Sequence, residues 1–203
     1  MKLTKENIPI LLTLTRLIIS PLVVPLLFVW LLPLDLIIIN SLLAVFFIAL
    51  CLTDLFDGYL ARKYDVQTQL GAALDPIADK FLVYATLIGL LAAGKINYYW
   101  VVLLIGREFF VMGLRLVALQ ERIPVPVSQL AKVKTAFQMI MLAYIIWNPY
   151  QSLSFESWAN GFEAALIAVT LLLSLGTASI YARGVYHASK AIEKKKEPLI
   201  YNE

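Results

Sequence analysis

Residues 35–93 read DLIIINSLLAVFFIALCLTDLFDGYLARKYDVQTQLGAALDPIADKFLVYATLIGLLAA. Two apolar runs flank a polar centre that carries the four aspartates Asp54, Asp57, Asp75 and Asp79. A membrane-spanning helix needs about 20 mostly apolar residues, and hydrocarbon leaves every backbone amide to be satisfied within its own segment. The stretch therefore predicts two neighbouring helices whose polar connection lies at a membrane surface.

The composition of the whole chain extends this prediction to an integral membrane protein. Of the 203 residues, 61% are hydrophobic and 15% are charged, and the mean hydropathy is +0.79. A soluble domain is about 45–50% apolar and about 25% charged. This balance argues against a soluble enzyme, a disordered chain and a disulfide-bonded secreted domain. We expect no nucleic acid partner, because no basic patch is interleaved with exposed aromatic residues.

Six apolar runs of spanning length follow one another along the chain. They cover approximately residues 10–33, 35–60, 71–93, 97–119, 129–148 and 158–187. The predicted fold is all-α: a polytopic membrane protein with six transmembrane helices, forming a single domain over residues 1–203. Residues 1–9 mix charged and apolar side chains, which is compatible both with a short interfacial helix and with a flexible terminus.

The basic residues predict how the chain is oriented. With six spans, both termini lie on one side of the membrane, and that side receives most of the lysines and arginines outside the spans. The opposite connections carry only Lys95. Because cytoplasmic connections of membrane proteins are enriched in Lys and Arg, we expect both termini at the cytoplasmic face of the cell membrane.

The four aspartates are costly at a membrane boundary and indicate a functional site. Asp54 and Asp57 are three residues apart and Asp75 and Asp79 are four apart, so each pair shares one face of a helix. Four facing carboxylates repel each other unless some are protonated or divalent cations lie between them. Oxygen ligands favour Mg²⁺, Mn²⁺ or Ca²⁺, and a two-ion site suits phosphoryl transfer. A helix-capping role would explain one or two of these acids, but not four.

The acids and the small residues beside them resemble a known signature. The pattern Dx2DGx2ARx8Gx3Dx3D is similar to that of the CDP-alcohol phosphatidyltransferases, with eight fixed residues over 26 positions. These are Asp54, Asp57, Gly58, Ala61, Arg62, Gly71, Asp75 and Asp79. The resemblance covers nearly the whole chain, because the family's fold also has six spans.

The resemblance implies a role for each motif residue. Asp54, Asp57 and Asp75 would hold one metal ion, and Asp54, Asp75 and Asp79 a second, both Mg²⁺ or Mn²⁺. Asp79 would also be catalytic, taking the proton from the acceptor hydroxyl. Family members join a CDP-linked lipid to an alcohol and release CMP, and a homodimer is expected from the resemblance alone. The residues implied to bind the CDP-lipid are Gly58, Ala61, Arg62, Thr68 and Gly71.

Basic residues in the fourth and fifth runs bear on the acceptor alcohol. Arg107 and Arg115 are eight residues apart, about two helical turns, and so share a face. Arg107 lies near the middle of its run, where an unpaired charge is expensive. It either forms an internal ion pair, with Glu108 or a motif aspartate, or joins Arg115 in a basic cavity for a phosphorylated acceptor. Lys132 and Lys134 would complete that cavity, or they are cytoplasmic anchors of the fifth run.

Short strings narrow the resemblance to one group within the family. The residues GRE at 106–108, KVKT at 132–135 and NIP at 7–9 are similar to those of bacterial phosphatidylglycerophosphate synthases. The resemblance implies CDP-diacylglycerol and glycerol 3-phosphate as substrates, bound at the surface of a lipid bilayer. Ile10 departs from the pattern, because that group usually has Asn there.

Three alternatives remain open at this point. Two keep the chemistry and change the acceptor, to phosphatidylglycerol as in cardiolipin synthases or to inositol phosphate. The third is a divalent-cation transporter that uses the four acids as its ion site. A transporter leaves the fixed spacing of Gly58, Arg62 and Gly71 unexplained.

We predict that CMP release from CDP-diacylglycerol requires a divalent cation and that Asp54→Asn or Asp75→Asn reduces it to background. Each change removes a charged ligand that is expected to bridge both ions. The measurement is CMP release in detergent, first with excess chelator and then after metal is added back. Asp65→Asn, which changes an aspartate between the two halves of the motif, is the control and should remain active. Full turnover in excess chelator would contradict the prediction.

Overall fold

The structure is a computed structural model that describes residues 8–63, 69–121, 123, 129–148 and 158–200. Within the helices, the side chains of several stretches lie outside this description, among them those of residues 8–17, 54–63, 69–79 and 191–200. Throughout the described ranges the regular structure is helical, with no strand. The all-α class predicted from the sequence is therefore confirmed.

Six α-helices follow one another along the described chain. They are α1 (Ile8–Leu31), α2 (Ile37–Lys63), α3 (Gln69–Ala92), α4 (Tyr98–Gln120), α5 (Gln129–Trp147) and α6 (Trp158–Ile200). A short 3-10 turn, Leu32–Leu34, links α1 to α2. Each helix corresponds to one of the six apolar runs, because polar residues, Pro and Gly interrupt the sequence between them.

Two helix ends lie furthest from the prediction, those of α2 and α6. α2 continues through Arg62 and Lys63, so only residues 64–68 separate it from α3 and the connection is shorter than expected. α6 extends to Ile200, well past the end of the apolar run near residue 187. Both extensions consist largely of Ala, Lys, Arg and Glu, which favour a helix even where no apolar run continues.

The chain divides into two compact units. Unit 1 comprises Met1–Val101 and Met139–Ala164, and unit 2 comprises Val102–Gln138 and Ala165–Glu203. The single domain expected over residues 1–203 therefore stays a prediction, and each unit is described by itself.

In unit 1, α1 packs against α2 and α3. Val24 and Phe28, four residues apart on α1, are fully buried, as is Leu32 at the start of the 3-10 turn that follows. Gly89 on α3 faces this helix, and a Cβ atom placed on it would lie 3.0 Å from the Cα of Pro25. The absence of a side chain at Gly89 therefore allows the two helix backbones to approach closely.

An ion pair joins two turns of unit 1. Lys95, in the turn between α3 and α4, donates a hydrogen bond to the Oδ1 atom of Asp35, in the turn between α1 and α2. Asp35 has a φ of 49°, a left-handed conformation that aspartate tolerates better than most residues. Only 5% of the Lys95 side chain is exposed, and its charge is paired with the carboxylate of Asp35. Lys95 is the basic residue that the sequence predicts on the side of the membrane opposite the termini.

In unit 2, the end of α4 packs against α6. Ala118 and Ile123 contact Val185, and Tyr181 and Ala188 cover this small core. This contact therefore packs the second half of α6 against the end of α4.

Two helices contain stretches that are long and apolar enough to cross a membrane: Leu130–Trp147 in α5 and Gly161–Lys190 in α6. Three shorter apolar stretches are Ser20–Leu34, which runs from α1 through the 3-10 turn, Ile37–Thr53 in α2 and Lys80–Ala92 in α3. These stretches are those of the described part of the chain, which leaves out the side chains at the adjoining ends of α2 and α3.

We predict that Gly89→Ala destabilises the protein. The new methyl group would lie 3.0 Å from the Pro25 Cα and 3.1 Å from the Phe28 Cδ2. Relief requires a backbone shift, and overpacking of this kind costs about 1–3 kcal/mol. The measurement is the midpoint of thermal unfolding in detergent.

The matched control is Gly113→Ala on α4, where the added Cβ would have nothing within 4 Å. The higher helix propensity of alanine, about 1 kcal/mol, should leave this variant unchanged or more stable. Equal unfolding midpoints for the two variants would contradict the proposed close approach of α1 and α3.

Candidate active site

The structure places the two halves of the aspartate motif at adjoining helix ends in unit 1. Asp54 and Asp57 lie in the second half of α2, and Asp75 and Asp79 lie in the first half of α3. Because both segments are helical, the spacings of three and four keep each pair on one helix face, as the sequence predicts. Only five residues, 64–68, connect the two helix ends.

The side chains of these acids lie outside the described residues. The same holds for the neighbouring candidates Gly58, Ala61, Arg62 and Gly71, and Thr68 falls in the connection 64–68. Among the side chains that are described, no three His, Cys, Asp or Glu residues come together. The two-ion site and the CDP-lipid contacts therefore stay predictions.

Three charged side chains meet between α4 and α5 in unit 2. The Nη1 atom of Arg107 donates a hydrogen bond to the Oε1 atom of Glu108 at 2.5 Å. The Nζ atom of Lys134 donates to the same oxygen. We call Arg107, Glu108 and Lys134 the charge cluster. One of the two explanations for Arg107, the ion pair with Glu108, is thus observed, and Lys134 joins it.

α6 provides two further hydrogen-bond acceptors for Arg107. The Nε atom of Arg107 donates to the backbone carbonyl of Ser174 at 2.7 Å. Its Nη2 atom donates to the hydroxyl of Thr177. All three nitrogen atoms of the guanidinium group therefore bond to protein acceptors on α4 and α6.

The charge cluster is shielded from solvent. The exposed fractions of the side chains are 8% for Arg107, 12% for Glu108 and 7% for Lys134. Burying a charge without a partner costs several kcal/mol, so the shared carboxylate stabilises both cations in place. These three side chains together carry two positive charges and one negative charge.

The other two cations of the predicted basic cavity lie in different surroundings. The guanidinium carbon of Arg115 lies 5.9 Å from the centre of the Tyr181 ring, a cation–π contact on α6. Arg115 and Lys132 are both exposed. The structure thus brings Arg107 and Lys134 together, and a role for Arg115 and Lys132 in acceptor binding stays a prediction.

Sequence reasoning missed the contribution of α6. Ser174 and Thr177 are polar residues one turn apart within the apolar stretch Gly161–Lys190. Such residues inside a spanning helix are a signal of interhelical hydrogen bonding. The signal does not identify Arg107 as the partner, because Ser174 and Thr177 are 67 and 70 positions from it along the chain.

Comparisons with known proteins identify relatives over most of the chain. The family model for CDP-alcohol phosphatidyltransferases matches residues 6–176, a range that includes the aspartate motif and the charge cluster. A Rickettsia felis protein named CDP-diacylglycerol–glycerol-3-phosphate 3-phosphatidyltransferase is 39% identical over 145 residues, 70% of this chain and 75% of the relative. A Salmonella choleraesuis protein of the same name is 37% identical over 176 residues, 82% of this chain and 91% of the relative. The family expected from the motif is confirmed.

We predict that Glu108→Gln destabilises the protein markedly. The substitution keeps the shape of the side chain but leaves two buried cations without their shared carboxylate. Removing one partner of a buried ion pair costs about 3–5 kcal/mol. The measurement is thermal unfolding in detergent.

Glu121→Gln, just beyond the end of α4, is the control. Glu121 is exposed, and surface substitutions usually change stability by about 0.5 kcal/mol or less. If both variants unfolded at the same temperature, Glu108 would not hold the cluster together.

Proposed function

Because the chain belongs to the CDP-alcohol phosphatidyltransferase family, we propose that it transfers the phosphatidyl group of CDP-diacylglycerol to glycerol 3-phosphate and releases CMP. Relatives that are 37–41% identical are named for this reaction. The observation in this chain that carries the choice of acceptor is the charge cluster, in which Arg107 and Lys134 share one carboxylate. Two neighbouring cations favour a phosphorylated acceptor over an uncharged alcohol, and the names of the relatives favour glycerol 3-phosphate over inositol phosphate.

The proposed reaction is a displacement at phosphorus. The hydroxyl oxygen of glycerol 3-phosphate forms a bond to the phosphorus of the phosphatidyl group. The bond from that phosphorus to the bridging oxygen breaks, and CMP leaves with the bonding electrons. Asp79 takes the proton from the attacking hydroxyl, the role expected of a general base.

Carboxylate oxygens are the donors that hard divalent cations prefer, so the motif acids fit the divalent metal ions used by this family. Asp54, Asp57 and Asp75 would hold one ion, and Asp54, Asp75 and Asp79 the other. When bound, such ions neutralise negative charge on the reacting phosphates. The CDP-lipid is assigned to the residues between and beside these acids: Gly58, Ala61, Arg62, Thr68 and Gly71.

The acceptor phosphate is assigned to the charge cluster. An arginine has five N–H groups in a rigid plane, and Arg107 uses three of them on Ser174, Glu108 and Thr177. Because the guanidinium group is planar and rigid, these three bonds also fix the directions of its two remaining N–H groups. Lys134 adds a second cation a few ångströms away, and the predicted contributions of Arg115 and Lys132 would widen the site.

We also propose that all six helices span the cell membrane, with both termini and the active site at the cytoplasmic face. The apolar face of α2 supports this, because Ile38, Leu42 and Val45 are each more than 60% exposed and lie on one side of the helix. A continuous apolar stripe of this kind suits lipid better than water. As in the family resemblance, the protein is proposed to act as a homodimer.

We predict that Lys134→Ala raises the apparent KM for glycerol 3-phosphate. Loss of a hydrogen bond to a charged group removes about 1.5–3 kcal/mol, which corresponds to roughly 10- to 150-fold. The KM for CDP-diacylglycerol should change little, since that substrate is assigned to the aspartate motif. Steady-state CMP release, with each substrate varied in turn on folded protein, measures both constants.

Lys190→Ala is the control, because Lys190 is an exposed lysine of the same unit that lies over the ring of Tyr186. Its kinetics should match those of the unchanged protein. The acceptor itself is tested by supplying glycerol 3-phosphate, phosphatidylglycerol and inositol phosphate separately. CMP release with either of the last two, but not with glycerol 3-phosphate, would reject the proposed acceptor and leave the family assignment intact.

A further inference from the structure

Two hydrogen-bond acceptors on α6 bind the guanidinium group of Arg107. The Ser174 carbonyl accepts from Nε at 2.7 Å, and the Thr177 hydroxyl accepts from Nη2. Both acceptors lie on the same turn of α6, whereas Arg107 belongs to α4. The position of the Arg107 guanidinium group is therefore fixed by α6 and not by its own helix alone.

The hydroxyl of Thr177 is itself oriented by the helix. It lies 2.9 Å from the carbonyl oxygens of both Leu173 and Ser174, where it donates its proton. With its proton engaged there, the oxygen presents its lone pairs to Arg107. Threonine also has few χ1 rotamers in a helix, so little freedom remains to be lost when the bond forms.

Thr177 is nearly buried, with 7% of its surface exposed. Water therefore competes little for its bond to Arg107. The bond constrains Nη2, while Glu108 constrains Nη1 on the other side of the same planar group. Loss of the Thr177 bond would leave the guanidinium group held by the Ser174 carbonyl at Nε and by Glu108 at Nη1, with Nη2 no longer fixed from α6.

We infer that Thr177 is a positioning residue for the acceptor: its hydroxyl, together with the Ser174 carbonyl, orients Arg107 so that the remaining N–H groups of Arg107 meet the phosphate of the acceptor. The inference rests on the proposed function of Arg107. According to this inference, α6 contributes to acceptor affinity by orienting Arg107. Thr177 itself does not contact the substrate.

Thr170 provides a matched comparison on the same helix. It lies seven residues before Thr177, about two turns away and on the same face. It is fully buried, and its hydroxyl has no hydrogen-bond partner among the described residues. Replacement by valine thus removes a buried hydroxyl at both positions, but breaks a bond to Arg107 only at Thr177.

The test compares Thr177→Val, Thr177→Ser and Thr170→Val in the full-length protein in detergent. We expect Thr177→Val to raise the KM for glycerol 3-phosphate about tenfold, near the lower end of the loss of a hydrogen bond to a charged group. The KM for CDP-diacylglycerol should not change. Thr177→Ser retains the hydroxyl and should restore the original KM, and Thr170→Val should behave like the unchanged protein.

The outcomes separate the inference from the proposed function. If Thr177→Val leaves the KM for glycerol 3-phosphate unchanged while Lys134→Ala raises it, the role of Thr177 is rejected and the proposed function stands. If neither variant changes it, the proposed acceptor site fails, and the inference fails with it. A rise in both KM values, or an equal rise in Thr177→Ser or Thr170→Val, would show a general structural role and overturn the inference. If Thr177→Val does not fold, Thr177→Ala is judged by the same criteria.

Discussion

The shared carboxylate of Glu108 is the interaction on which the arrangement of unit 2 depends. Arg107 and Lys134 come from different helices, and in apolar surroundings neither charge is tolerated without a partner. Glu108 accepts hydrogen bonds from both, so α4 and α5 are tied together at a buried point. α6 is joined to the same point, because the backbone carbonyl of Ser174 also accepts a hydrogen bond from Arg107.

The chain carries two groups of charged residues that suit different ligands, the aspartate motif and the charge cluster. The motif at the adjoining ends of α2 and α3 concentrates negative charge, which suits divalent cations and the pyrophosphate they would carry. The charge cluster in unit 2 brings two cations, Arg107 and Lys134, to one carboxylate, and cations suit the proposed phosphate of the acceptor.

Much of the fold was predictable because the apolar runs are cleanly separated. The predicted limits of α4 and α5 agree with the structure within one residue, since Gly94, Pro124 and Pro149 follow or precede these helices closely. The far end of α6 was missed, because hydropathy marks where a helix leaves an apolar environment and not where its backbone hydrogen bonding stops. The partner of Arg107 also stayed open: Glu108 is its neighbour in sequence, and successive residues on a helix point about 100° apart.

The sequence by itself determined the helical class, the number of helices, the family and the grouping of Asp54, Asp57, Asp75 and Asp79 on two helix faces. Each of these follows from local spacing, which a helix converts directly into position. Only the tertiary structure decided that Glu108 serves both Arg107 and Lys134, and that Thr177 holds Arg107 from α6. Those contacts join residues 26 and 70 positions apart. They depend on how three helices pack and how far flexible side chains reach, and no local period in the sequence encodes either.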